Sequence, residues 1–417
     1  MHKIMIRDFG PIDNAELSIS QTTLLIGEQA NGKSTIIKLI YYFRRFQLFY
    51  STLYAKKQFD TWRDFRKAYL SQMKTIFTNT FGNTRTLGEF QLEYVFADNR
   101  SITITPSSGN EYLNIRFSDQ LNARLRDLWN SALGIEALAE IFDDSYACVY
   151  IPAGRALLSR QALLDMIQTN ELSVAFQPAS YSAFDLIDAM TRDYMREVSA
   201  MRAVLARTDL ASLVQMVENP EQRDSFRYMY ELQKVILKGE YNTDGRHDYL
   251  VLGQNKKVPF SYASSGQQEV IWITNLLLGF ALNGGKRNCI LVEEPETHLH
   301  PDAQYALVKF ISAYQNLTGS QILITTHSPY IISSLNNLFY ASKISKSKNW
   351  DSIHAIIPRQ SWMDEEAFQS YSVENGSLVD IKDADLVMAD ISRLDSIASR
   401  QDDEYEAMLR LPAEGIG

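Results

Sequence analysis

Short apolar runs recur along this chain, and several end on a glycine, a hydroxyl residue or a charge. Thr22-Thr23-Leu24-Leu25-Ile26, residues 147–151, Ile290-Leu291-Val292 and Ile322-Leu323-Ile324 are continuous instead of alternating. That is the pattern of strands covered on both faces. Residues 88–117 alternate: Phe90, Leu92, Tyr94 and Phe96, then Ile102, Ile104, Leu113, Ile115 and Phe117, with turns at Asp98-Asn99 and Ser107-Ser108-Gly109-Asn110. They predict an antiparallel β-layer. Helical spacing follows Gly32 through Thr35–Ile40, covers 120–142, and fills most of 160–238, where Ala183–Leu205 and Asp224–Leu237 stand out around a break at Asn219-Pro220. It returns in the strongly apolar run 270–282, and two short strands are expected within 247–262. Strands alternating with helices give an α/β class with a mixed sheet.

The first continuous run leads into Gly27-Glu28-Gln29-Ala30-Asn31-Gly32-Lys33-Ser34, the spacing G-x-x-x-x-G-K-S/T between a strand and a helix. Such a loop wraps phosphates: its glycines let backbone N–H groups come close, Lys33 reaches the β- and γ-phosphates, and the Ser34 hydroxyl can bind Mg²⁺. Gly27, Asn31, Gly32, Lys33, Ser34 and Thr35 are therefore the expected nucleotide-binding residues. The 290–292 run ends on Glu293-Glu294-Pro295. Phosphoryl transfer to water asks for one carboxylate at the metal and one at the attacking water. Adjacent strand residues point to opposite sides, so the two roles can be divided; Glu293 is assigned to the metal and Glu294 to the water. Ser264-Ser265-Gly266-Gln267 precedes the 270–282 helix and reads either as an anion site at a helix N-terminus or as an ordinary serine cap. His327, just past the 322–326 run, would by itself be a packing or capping residue.

In this order and spacing, the four elements resemble the heads of ATP-binding-cassette-type ATPases, and within them the SMC, RecF and OLD group. Glu293-Glu294-Pro295-Glu296-Thr297-His298-Leu299-His300-Pro301 looks like the compact OLD-like and bacterial defence ATPases, such as the ATPase subunits of the Septu or PARIS anti-phage systems. Ile4–Ile12 and Tyr150–Arg155 are similar to that group as well. The resemblance implies a P-loop head that binds ATP and Mg²⁺ and hydrolyses ATP, with Lys33, Glu294 and His327 as catalytic residues. Ser264, Ser265, Gly266 and Gln267 would be a signature meeting the γ-phosphate held by a second subunit. Residues 297–300 would cross between subunits, and His327 would be the switch histidine. Three departures stand out: Ser265 where transporters have glycine, Glu293 where many members have aspartate, and no obvious glutamine loop, for which Arg155 and Gln161 are the candidates by position.

The resemblance divides the chain into 1–160 (first part of the head), 161–246 (an inserted helical arm), 247–340 (second part, where the head closes) and 341–417 (a helical tail). OLD-like nucleases carry a further metal-binding domain after the switch histidine. Asp383 and Asp385 are present, but no Glu-Gly motif follows His327, so the chain resembles such an ATPase without its nuclease. The tail is acidic and has Leu386, Val387, Ile391, Leu394 and Ile397 at helical spacing, either a helix packed on its own head or a docking element.

Charge and composition narrow the partners. Asp and Glu outnumber Lys and Arg by 50 to 41, so the whole chain is not a generic polyanion binder. Residues 44–69 are locally basic with interleaved aromatics, either a platform for DNA or a partner, or two helices with aromatic core stripes and solvated bases. The first residues lack the apolar stretch of a leader, and the 270–282 run, broken by Thr274 and Asn275, is too short for a bilayer. Cys148 and Cys289 sit in strand-like runs and read as buried thiols of a reducing compartment. The expected protein is cytoplasmic, without a membrane partner. It pairs with itself as a homodimer or higher homo-oligomer and regulates a separate effector, a nuclease or toxin. The alternative is a RecF- or SMC-like DNA-repair ATPase acting directly on DNA.

Overall fold

The computed structural model describes residues 1–107, 112–131, 136–158, 188–253, 256–283, 287–346, 349–364 and 366–382, with Ala389 and Glu404. Its centre is an 11-stranded sheet built from β1 (Lys3–Phe9), β2 (Ile12–Ser18), β3 (Thr22–Ile26), β4 (Gln91–Ala97), β5 (Arg100–Pro106), β6 (Leu113–Phe117), β7 (Ala147–Ile151), β11 (Asn288–Glu293), β12 (Gln321–Thr325), β13 (Phe368–Glu374) and β14 (Ser377–Asp380). The remaining strands, β8 (Glu240–Thr243), β9 (Asp248–Leu252) and β10 (Lys256–Pro259), form a separate antiparallel sheet, of which the first was not expected.

The large sheet runs β6-β5-β4-β1-β2-β14-β13-β3-β12-β11-β7. Strands β13, β3, β12, β11 and β7 are mutually parallel, while β6 through β2 are antiparallel. The predicted α/β class is thus met, and the antiparallel layer is continuous with the parallel half. Successive residues of the parallel strands enter different cores. Leu24, Ile26, Ile290, Val292, Ile322 and Ile324 join one, and Leu25, Cys289, Leu291 and Leu323 the other. Both faces being covered explains the unbroken apolar runs. Cys148 and Cys289 are free thiols facing each other in the β7–β11 register.

On one face lie helix α1 (Lys33–Ala55) and helix α2 (Trp62–Phe81), whose Phe46, Tyr50, Phe65, Tyr69, Met73 and Phe77 are buried. The aromatics of 44–69 are therefore largely core. Helices Ala189–Leu205, Pro220–Leu237, Ser265–Leu282, Pro301–Thr318 and Pro329–Ser345 contribute to the other core. No helix among the described residues is long and apolar enough to cross a membrane.

Two expectations need correction. The described part of 161–246 is not an arm standing off the head. Tyr194, Met195, Val198, Phe226, Met229 and Ile236 are core residues, and Gln233 donates from within the core to Thr274 and Asn275, each at 2.8 Å. The expected break at Asn219-Pro220 is present: one helix ends at Gln215 and the next starts at Pro220, with Asn219 accepting from the Gln222 N–H and Pro220 in the first turn, where its missing N–H costs nothing. The head does not close at 340 into a helical tail. Helix Trp350–Ile356 is followed by β13 and β14, which enter the central sheet beside β3 and β2. Buried Ser370 and Ser372 interrupt the apolar pattern of β13, so its place in the sheet left little trace. Residues 161–187, the Asp383 and Asp385 pair, and the apolar and acidic positions 386–403 of the tail, Ala389 aside, lie outside the described residues.

Candidate active site

Strand β3 ends at the mouth of the phosphate loop, where Gly27, Ala30 and Gly32 have φ of 139°, 66° and 99°. Those values favour glycine at 27 and 32. The surroundings demand it too: a Cβ on Gly27 would lie 2.5 Å from the Val373 carbonyl oxygen, and one on Gly32 2.8 Å from Ile12 Cγ1. Asn31 Nδ2 donates to the Val373 carbonyl at 3.1 Å. The end of β13 is thus the back wall of the loop. Gly32 gives α1 no side-chain cap, so the first N–H groups of that long helix are left for an anion.

Lys33 opens α1 and is buried, its Nζ donating to the carbonyls of Gly27 at 2.9 Å and Glu28 at 2.7 Å. Burial pulls its pKa down to about 8, against the carboxylates of Glu294, Glu296 and Glu293, which favour the cation. Ser34 is exposed and Thr35 half-buried on the same turn.

Strand β11 delivers Glu293 as its last residue, buried, with Oε2 accepting from the Ala153 N–H at 3.5 Å and Oε1 without a partner. Burial raises its pKa, and Lys38, Tyr150, the Ala153 N–H and the Ser34 hydroxyl pull it back. A buried carboxylate oxygen with no partner, beside a serine hydroxyl, is the donor set of a Mg²⁺ ion that keeps waters and phosphates as its other ligands. These residues fit the metal assigned to them.

Glu294 follows the strand at φ 41°, its N–H bonded to the Thr325 carbonyl at 2.9 Å across to β12. Its Oε1 lies 3.2 Å from His327 Nε2. The hydrogen bond from His327 holds the Glu294 carboxyl below its usual pKa, outweighing partial burial. A deprotonated carboxylate paired with an imidazole is a competent proton acceptor.

Two residues to which the sequence reading gave no firm role hold this arrangement. Glu296 is half-buried, and its Oε1 accepts from Thr326 Oγ1 at 2.5 Å and from the His327 N–H at 2.9 Å, fixing the backbone that carries the histidine. Arg155, fully buried, donates from Nη1 to the carbonyls of Pro152 and Glu293, each at 2.7 Å, and from Nη2 to that of Glu294 at 3.0 Å. Its Nε donates to the Glu269 carbonyl at 3.0 Å and lies 3.5 Å from the Glu269 carboxylate. It ties helix Ser265–Leu282 to the acids at the end of β11. Removing one partner of a buried ion pair typically costs about 3–5 kcal/mol. Arg155→Leu is expected to lower the free energy of unfolding by that order, and a denaturant titration indistinguishable from wild type would refute the tie. Gln161, the other candidate, lies outside the described residues.

Ser264 caps that helix and forms a capping box with Gln267; Ser264 and Ser265 are exposed. Gly266 is buried, and a Cβ there would sit 2.4 Å from the His298 carbonyl oxygen. Overpacking of this kind costs about 1–3 kcal/mol, so Gly266→Ala should lose that much stability, read from the same titration. Lys33, Ser34, Glu293, Glu294 and His327 come together within the chain. Among the described residues, no hydrogen bond of Ser264–Gln267 reaches residues 27–35.

The family model described as AAA ATPase domain matches residues 1–145 and 200–332, more than half of the sequence. The chain belongs to the AAA ATPase domain family. The matched ranges include the phosphate loop and both strand-end acids. The fold is also similar to solved SMC heads. The head domain from Thermotoga maritima is 12% identical over 91% of this chain and 97% of that one, with a TM-score of 0.36. The head with an extended coiled coil bound to the C-terminal domain of ScpA, from Pyrococcus furiosus, is 12% identical over 98% of this chain and 100% of that one, with a TM-score of 0.39. At those values neither carries residue roles to this chain. No curated protein matches the sequence.

Proposed function

We propose that the chain is an ATP-hydrolysing head that pairs with a second copy through its nucleotide sites and controls a separately encoded effector, as the resemblance to anti-phage ATPases implies. The observation that carries the hydrolytic reading is the Glu294–His327 pair at 3.2 Å, next to Lys33 and the unpartnered oxygen of Glu293. Bound ATP·Mg²⁺ supplies an activated γ-phosphoryl group. Lys33 and the free N–H groups of α1 hold the phosphates, and Ser34 and Glu293 hold the metal. Glu294 takes the proton of the attacking water, while His327 orients Glu294 and contacts the phosphoryl group.

The pairing reading draws on residues 264–267. Ser264 and Ser265 are exposed, yet none of the hydrogen bonds of 264–267 turns toward the chain's own phosphate loop. A two-fold pair would present each set to the partner's γ-phosphate through one self-complementary surface, and ATP would favour the closed state. Ser264→Arg tests this by placing a bulky cation there. Expected is unchanged nucleotide binding by the single subunit, with loss of ATP-dependent cross-linking between heads and of turnover. Wild-type turnover would reduce 264–267 to a helix cap and end the pairing reading. Co-purification with products of neighbouring genes tests the effector; a chain that only ever purifies alone contradicts it.

A further inference from the structure

Away from the nucleotide site, α2 carries a second patterned face. Its inner face is Phe65, Tyr69, Met73 and Phe77. Round the helix, Arg63, Arg66, Lys67 and Lys74 line a groove of about 670 Å³ together with Trp62 and Asn122, and no carboxylate is in its lining. None of the four cations forms an ion pair with an acidic side chain among the described residues. This is unusual company in a chain with 50 acidic residues and 41 basic ones. Arg66 alone is fixed, donating from Nε to Asn122 Oδ1 at 3.1 Å and lying 5.6 Å from the centroid of the Phe117 ring.

Like charges three and four residues apart on one helix face repel, and a bound polyanion relieves the repulsion. From Arg63 to Lys74 a helix rises about 16 Å, the length of roughly five phosphate steps of one strand. A concave row suits a strand better than a flat anionic membrane. The Trp62 ring is already stacked on Phe65 at 5.8 Å and tilted against Trp129 at 6.4 Å, so it is engaged by its own core. With no free aromatic platform, the contacts fall on phosphates, which carry no sequence information.

We propose that this groove binds the phosphodiester backbone of a nucleic acid without reading its sequence. The proposal stands apart from the chemistry at Lys33 and Glu294. The test uses the full chain and a labelled oligonucleotide of about 20 nucleotides, as a single strand and as a duplex, in a salt series from about 50 to 200 mM. The comparison is the triple variant Arg63→Gln, Lys67→Gln, Lys74→Gln, which keeps Arg66 and good helix formers. Wild type is expected to bind either form, or both, with little dependence on sequence. The variant should bind at least tenfold more weakly at the lowest salt. Its log–log salt slope should flatten by about 2–3, at 0.7–0.9 per lost phosphate contact, with ATP turnover unchanged. If the triple variant does not fold, Lys67→Gln and Lys74→Gln singly should each flatten the slope by about 0.7–0.9. Equal affinity and slope in variant and wild type would overturn the proposal. So would no binding by wild type at the lowest salt, or capture by phosphatidylserine vesicles with neither oligonucleotide bound.

Discussion

Glu294→Gln is expected to hold ATP as tightly as wild type and to hydrolyse it at least about 100-fold more slowly, the usual range for loss of a positioned general base. The glutamine amide keeps the size of the side chain and can still reach His327 Nε2, now 3.2 Å from Glu294 Oε1, but it cannot accept the proton of water. Two neighbours should separate from it. Glu293→Gln removes charge from the buried oxygen beside Ser34 and should weaken Mg²⁺-dependent nucleotide binding in the first place. Glu296→Gln leaves both acids in place but weakens the acceptor that holds Thr326 Oγ1 and the His327 N–H, so it should lower kcat with little change in KM. Nucleotide affinity from fluorescence titration and phosphate release at saturating ATP distinguish the three. Normal phosphate release by Glu294→Gln would remove the residue from the chemistry.

That site was legible because its parts are short and local. A phosphate loop needs glycines at fixed offsets between one strand and one helix, and Gly27, Gly32 and Lys33 sit at those offsets. Glu293, Glu294 and His327 each mark the end of an unbroken apolar strand, so parallel packing delivers them to the same edge. What was not legible depends on distant chain. Arg155 is a lone arginine after β7, and its acceptors are mostly backbone carbonyls more than a hundred residues away, which no local pattern records. Strand β13 was missed because Ser370 and Ser372 are buried yet polar. A clue was present all the same: Asn375-Gly376, with φ of 46° and 73°, forms the two-residue turn of the β13–β14 hairpin, the strongest short-range hairpin signal. The insertion read as an arm because its helices are amphipathic, and amphipathicity says that a face is buried without saying against what.

Lys33→Ala should abolish ATP binding at ordinary concentrations, together with turnover. The lost contact is a charge-assisted bond to the phosphate being transferred, in a loop where Lys33 is the buried cation facing Glu293, Glu294 and Glu296. Removing it also leaves those three carboxylates facing an incoming polyanion without compensation. The effect carries a pH signature. Burial lowers the Lys33 pKa from its ordinary 10.5 to about 8, so above pH 8 the chain without nucleotide increasingly holds a neutral amine. A phosphate favours the ammonium form, so ATP binding takes up a proton there. Affinity should fall as pH rises beyond about 8, approaching tenfold per unit, and the residual affinity of Lys33→Ala should lack that slope. The same shift acts oppositely on the fold. Between about 8 and 10.5 the unfolded chain binds more protons at this site than the native one, so the Lys33 contribution to stability rises with pH across that window and is at its least favourable below it. Calorimetric titration of ATP at several pH values in two buffers of different ionisation enthalpy reads the proton uptake directly. Uptake that persists in Lys33→Ala, or an affinity for that variant within a few-fold of wild type, would take the lysine out of the phosphate site.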